Sequence, residues 1–106
     1  MNQRELDVLN ILHAAKEPMT STEIVNSKNG LTQSTVIAVL RILLRDGLVE
    51  ITGVTYSGKV LSRTYKSTVA AKEAILDHFV QQYNSFRDVV SPEELLEFIN
   101  RSKSLN

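Results

Sequence analysis

Thr32-Gln33-Ser34-Thr35-Val36-Ile37-Ala38-Val39-Leu40-Arg41-Ile42-Leu43-Leu44-Arg45-Asp46-Gly47-Leu48-Val49-Glu50-Ile51 carries two hydrophobic periods in one run. At about 100° per residue, Val36, Val39, Leu40 and Leu43 fall together on one side of a helix. Ser34, Ile37, Ala38, Arg41 and Arg45 fall within a narrow opposite arc, so one face packs and the other is presented. Thr32 can cap the start by accepting from free backbone N–H groups. Gly47 can take the left-handed conformation that ends a helix, which predicts a helix over about residues 32–46. From Leu48 the pattern becomes β-rich.

Upstream, Val8, Leu9, Ile11, Leu12 and Ala15 share one broad side of a first helix over about 3–16, with Asp7, Asn10 and His13 off that side. Glu17-Pro18 stops it, because the residue before a proline is disfavoured in the α region. Thr20 and Glu23 have capping-box spacing and start a short second helix through Ile24 and Val25. Asn29-Gly30 ends that helix, since both residues tolerate positive φ. Two helices joined by a short Gly-containing turn make a helix-turn-helix. Downstream, Val49, Ile51, Val54, Tyr56, Val60, Leu61, Thr64 and Tyr65 predict a hairpin within 48–66, turning at Ser57-Gly58, with Gly53 marking either a bulge or another tight turn. A helix-turn-helix followed by a ribbon is a winged helix. The fold class is mainly α with a small β-hairpin (α+β).

After Thr68 the helical period returns. Val69, Lys72, Leu76, Phe79, Val80 and Tyr83 share a side, with Ile75 beside them. Ser91-Pro92-Glu93-Glu94 starts a last helix, with a capping hydroxyl, Pro at the first helical position and Glu at the third. Leu95, Phe98 and Ile99 form its apolar side. The division expected is a winged helix over 1–67 and helices over 68–106. A piece of about 40 residues is near the lower limit for folding alone, so Val69, Leu76, Phe79, Val80, Tyr83, Leu95, Phe98 and Ile99 are read as dimerisation residues. The fourth-helix stripe can serve as intradomain core, as a dimer seam, or as both through different residues.

Composition excludes several classes. Of the 106 residues 42% are hydrophobic and 23% charged, ordinary values for a folded chain. There is no Cys and there are only two His, which removes disulfides and thiolate metal sites. No metal or other cofactor is expected. No basic start leads into an apolar run, and no stretch approaches the roughly 20 apolar residues of a membrane span. The expectation is a cytoplasmic protein without membrane contact. No paired acid and base, activated nucleophile or phosphate-cradling Gly loop stands out, so an enzyme is not expected. His13 and His78 read as structural or surface residues, and Glu93, Glu94 and Glu97 as charges that complement a helix N-terminus.

The formal net charge is +0, but its distribution is uneven. Residues 1–40 carry three basic against four acidic side chains, residues 41–66 five against two, and residues 67–106 four against six. Positive charge collects on the presented helix and the ribbon. In the major groove that helix would set the amide and hydroxyl groups of Thr32, Gln33, Ser34 and Thr35 near base edges, Ile37 near thymine methyls, and Arg41 and Arg45 on guanine or phosphate. Lys59 and Arg63 would hold the backbone from the ribbon, although Lys and Arg on an edge strand also serve to prevent sheet-to-sheet pairing. Tyr65 is read as core, with its hydroxyl at the rim.

Glu5-Leu6-Asp7-Val8-Leu9-Asn10-Ile11-Leu12, Leu31-Thr32-Gln33-Ser34-Thr35-Val36 and Arg45-Asp46-Gly47-Leu48-Val49 together resemble the bacterial penicillinase and methicillin-resistance repressor family (BlaI/MecI/CopY type), over roughly residues 3–83. The resemblance implies an N-terminal winged helix that reads a palindromic operator in double-stranded DNA, and C-terminal helices that make a homodimer. It departs from the family at Ser34, Ile37 and Ile42, where basic residues are usual. The chain also has no Asn-Phe bond of the kind cleaved in antibiotic-sensing members, and no Cys-rich tail of the copper-sensing kind. Any inducer or signalling partner is therefore unknown. The function expected is that of a sequence-specific transcriptional regulator, a homodimeric repressor. The alternative is a winged-helix module whose helix and ribbon bind a protein.

Overall fold

In the computed structural model residues 1–104 are described. They form α1 (Gln3–Ala14), α2 (Ser21–Ser27), α3 (Gln33–Arg45), the antiparallel strands β1 (Val49–Ser57) and β2 (Val60–Ser67), α4 (Ala70–Asn84) and α5 (Pro92–Ser104). The fold class is as the sequence reads. α1 starts on Asn2, whose side chain accepts from the Glu5 N–H at 2.9 Å, and stops two residues short of the expected end because Ala15 is already extended. The capping box of α2 is complete. The Thr20 N–H donates to Glu23 Oε1 at 2.9 Å, and the Glu23 N–H to Thr20 Oγ1 at 3.2 Å.

At the end of α3, Gly47 has φ +73, the Leu48 N–H donates to the Leu43 carbonyl at 2.9 Å, and the Gly47 N–H to the Leu44 carbonyl at 3.1 Å. That pair of bonds is a Schellman cap. It satisfies two orphan carbonyls and turns the chain into β1 within two residues.

Val8, Leu9, Leu12, Ile24, Leu31, Val36, Val39, Leu40, Leu43, Val49 and Ala71 form one buried cluster. The packing face read for α3 is its buried face. One reading of α1 is corrected: Asp7, placed off the packed side, is only 8% exposed. It accepts from Lys28 Nζ at 2.8 Å and from Gln3 Nε2 at 2.8 Å, and Arg4 lies 4.0 Å away. Three neighbours cover the carboxylate, and an ion pair can tolerate that site because its lone pairs are satisfied.

The hairpin is also corrected by one residue. Ser57 pairs with Val60, so the two-residue loop is Gly58-Lys59, with φ +67 at Gly58. Gly at the first central position and no positive φ at the second is the pattern of a type II′ turn. The register shifts between Ile51 and Gly53, which makes Thr52 the extra residue of a bulge. The phase of the strand follows from it. Val49, Ile51, Val54 and Tyr56 share one face despite the odd step from 51 to 54, together with Leu61, Arg63 and Tyr65 opposite them. Met19 adds a rung on the free edge of β2, exchanging backbone bonds of 2.9 and 2.8 Å with Tyr65, which packs against the core.

Packing divides the chain into one unit from Met1 to Ile75 and a second from Leu76 on. The start of α4 belongs to the first, through buried Ala71 and half-buried Ile75. Val69 precedes the helix and is 99% exposed. In the second unit, the Tyr83 hydroxyl donates to the Val90 carbonyl at 2.7 Å, and Ser91 and Glu94 form a reciprocal cap at the start of α5. Among the described residues of this unit none is buried. Leu76, Phe79, Val80, Phe86, Val89, Leu96, Phe98 and Ile99 are all more than half exposed. An apolar hollow of about 430 Å³ lies between Phe79, Tyr83, Phe86, Val90, Leu95 and Ile99.

Candidate nucleic-acid interface

The α3 face opposite the core is open: Ser34, Ile37, Ala38, Arg41 and Arg45 are exposed. Its first turn is held by side chains. Thr32 Oγ1 accepts from the Thr35 N–H at 3.3 Å and donates to Thr35 Oγ1 at 2.9 Å, while Gln33 Nε2 donates to Ser21 Oγ at 2.7 Å. The Gln33 bond ties the first turn of α3 to the first residue of α2. At the far end Arg45 Nε donates to Asp46 Oδ1 at 3.0 Å, and this carboxylate raises the pKa of a guanidinium that is charged in any case. Both groups are exposed, so the pair adds little stability.

These bonds sort the residues expected to read bases. Thr32, Thr35, Gln33 and Arg45 each have a polar group engaged within the chain, and Ser34 has only a 3.4 Å approach to Thr32. Ile37 is apolar and 45% exposed. Arg41 has no ion-pair partner among the described residues.

Lys59 stands at the hairpin turn and Arg63 on the face shared with Val54, Tyr56 and Leu61; both are exposed and neither has an ion-pair partner among the described residues. Lys66 faces Glu50 across the strands at 3.5 Å and is locally neutralised. Arg41, Lys59 and Arg63 are thus the uncompensated cations of helix and hairpin. The eight residues read as dimerisation positions divide differently. Leu76, Phe79, Val80, Tyr83, Leu95, Phe98 and Ile99 lie in the second unit, all but Tyr83 and Leu95 exposed, while Val69 stands outside it.

Three features escape the sequence reading. The Asp7–Lys28 pair joins residues 21 positions apart, and no local pattern announces it. Ser21 as the anchor of Gln33 is equally silent. The apolar hairpin face of Val54, Tyr56 and Leu61 was visible as alternation, but its alignment with Val49 depends on the bulge. His13 Nδ1 lies 3.0 Å from Ser67 Oγ, joining the end of α1 to the end of β2. Among the described residues no group of three His, Cys, Asp or Glu is placed to hold a metal, and no helix is long and apolar enough to cross a membrane.

No protein-family model matches the chain, and no curated protein does. Solved structures do match. Bacillus subtilis PadR in complex with operator DNA aligns with a TM-score of 0.62 at 15% identity, over 96% of this chain and 67% of its own. A PadR-like transcription factor from Bacteroides fragilis gives 0.61 at 20% identity, over 92% and 86%. A MepR mutant from a multidrug-resistant S. aureus clinical isolate gives 0.62 at 21% identity, over 99% and 77%. At these identities the likeness establishes the fold: the chain has the architecture of winged-helix transcriptional regulators. It reaches no further than that fold and does not show the narrower penicillinase-repressor family.

Proposed function

We propose that this chain is a sequence-specific DNA-binding transcriptional regulator that acts as a homodimer, with α3 in the major groove and the β1–β2 hairpin as a wing along the backbone. The observation that carries the reading is the exposed, capped face of α3 in one unit with a hairpin bearing Lys59 and Arg63, all on a winged-helix fold. Thr32, Gln33, Ser34, Thr35, Ile37, Arg41 and Arg45 are its helix residues, and a wing that grips phosphate supplies position while the helix supplies sequence.

Self-association is supported by the second unit, whose apolar side chains find no cover within it. Leu76, Phe79, Val80, Tyr83, Leu95, Phe98 and Ile99 would form the seam, and Val69, read from the sequence as an eighth dimerisation residue, belongs to the first unit. A two-fold dimer sets its reading helices about 34–36 Å apart on successive major grooves and selects a palindrome. Occupying such a site within a promoter blocks transcription, and a role on the chromosome puts the protein in the cytoplasm.

A kinship with the penicillinase repressors is the finer reading, supported by the motifs around Glu5, Thr32 and Asp46. Each of those motifs has a fold-level cause: Val8 and Val36 fill the core, Thr32 caps α3, and Gly47 supplies its positive φ. These motifs therefore mark the regulator class and not one family within it.

The test is a salt titration of binding to duplex DNA. Four phosphate-gripping cations per dimer, from Lys59 and Arg63, give a slope of log affinity against log salt of about −4. Binding to a protein partner with no salt-dependent affinity for DNA would overturn the reading in favour of an interaction module.

A further inference from the structure

Resting on the DNA-reading proposal, we infer that α3 recognises its site chiefly through thymine methyl groups, with Ile37 as the specificity-determining residue, Ala38 beside it, and a guanine taken by Arg41. The inference comes from subtraction on one helix face. A side chain reads a base edge bidentately only if its polar groups are free to turn toward it. The Gln33 amide N–H is held by Ser21 at 2.7 Å, and the Thr32 hydroxyl donates to that of half-buried Thr35 at 2.9 Å. Arg45 is drawn along the helix end to Asp46 at 3.0 Å. What remains on this face is Ser34 in the first turn, with only its 3.4 Å approach to Thr32, and Ile37, Ala38 and Arg41 at the middle of α3.

Ile37 is the only large apolar side chain of α3 among its exposed residues, at 45%, and it sits on the side opposite buried Val36, Val39, Leu40 and Leu43. Ile37 is not among the apolar residues packed against the core, and it cannot hydrogen-bond to a base. The one base feature in the major groove that it complements is the thymine C5-methyl. Arg41 lies one helical turn further on, about 6 Å along the axis, which spans about two base-pair steps of duplex. A half-site on these grounds carries a T·A pair and a G·C pair within about two steps of each other.

The experiment uses the full-length protein and the duplex enriched by it from a random pool. Each thymine of the half-site is replaced in turn by deoxyuridine, which removes the methyl and leaves every hydrogen-bonding group. Burial of one methyl corresponds to about a fourfold affinity change, so one or two positions should each lose about fourfold when one half-site is substituted and about fifteenfold when both are. Ile37→Ala should bind the thymine duplex about as weakly as the wild type binds the deoxyuridine duplex, and should be insensitive to the exchange. Thermal melting of the variant checks that the exposed substitution leaves the fold intact. Tight, sequence-selective binding that is indifferent to deoxyuridine would overturn this inference and leave DNA reading standing. Failure to enrich any duplex would remove both.

Discussion

Asp7→Asn keeps the side chain's shape and removes its charge, and the consequence can be worked from the cluster at the start of α1. The carboxylate is 8% exposed and accepts from Lys28 Nζ and Gln3 Nε2, both at 2.8 Å, with Arg4 at 4.0 Å. A hydrogen bond to a charged group contributes about 1.5–3 kcal/mol. Lys28 is 47% exposed, so solvent screens the pair and the lower end applies, about 1–2 kcal/mol. For a folding unit of this size that lowers the melting temperature by on the order of 5–10 °C at pH 7. The bond from Lys28 holds the Asp7 carboxyl below its ordinary pKa, against the opposing effect of burial and with help from Gln3 and the charges of Lys28 and Arg4. With a depressed folded pKa, the stabilisation is complete above the unfolded value of about 3.9 and is lost as pH falls through the folded value. Melting followed by circular dichroism from pH 7 to pH 2.5 should show the wild type and variant separated at neutral pH and converging in acid. Equal melting temperatures at pH 7, or a gap that persists unchanged at the acid end, would refute the reasoning.

Gly47→Ala isolates the Schellman cap: a Cβ there meets nothing within 4 Å, so the cost is backbone strain alone, about 1–2 kcal/mol in denaturant unfolding. Gly47→Asn should recover part of it. Phe79→Glu puts a carboxylate into the proposed seam from each protomer, and sedimentation should show dimerisation weakened by about 3 kcal/mol, more than a hundredfold, with the first unit still folded by circular dichroism. Lys59→Ala and Arg63→Ala should each lower the salt slope of the dimer by about 2, weakening all duplexes alike.

The fold was legible because its punctuation is local. Thr20 with Glu23, Thr32 and Gly47 each announce a helix end through a neighbour within a few residues, and the three bonds they predict are present. The alternation of β1 was legible too, but the turn was displaced to Gly58-Lys59 because Gly can stand first or second in a hairpin loop and only the cross-strand pairing decides. The bulge at Thr52 obeys the same limit, since Gly53 signals an irregularity without saying which residue is extra. Asp7 was misplaced because period counts an acid as solvent-facing, whereas Lys28, at the C-terminal end of α2, satisfies it. The candidate site was legible as a face and less so as chemistry. That Gln33 is tied to Ser21 and Arg45 to Asp46 depends on rotamers and tertiary approach, which no spacing rule contains.

Selection of bound duplex from a random pool by the purified protein tests the central claim most directly. A homodimeric winged-helix reader enriches two copies of one short half-site related by a two-fold axis, with centres about 10 base pairs or a multiple apart. A pool that stays random after repeated rounds at low salt would contradict it.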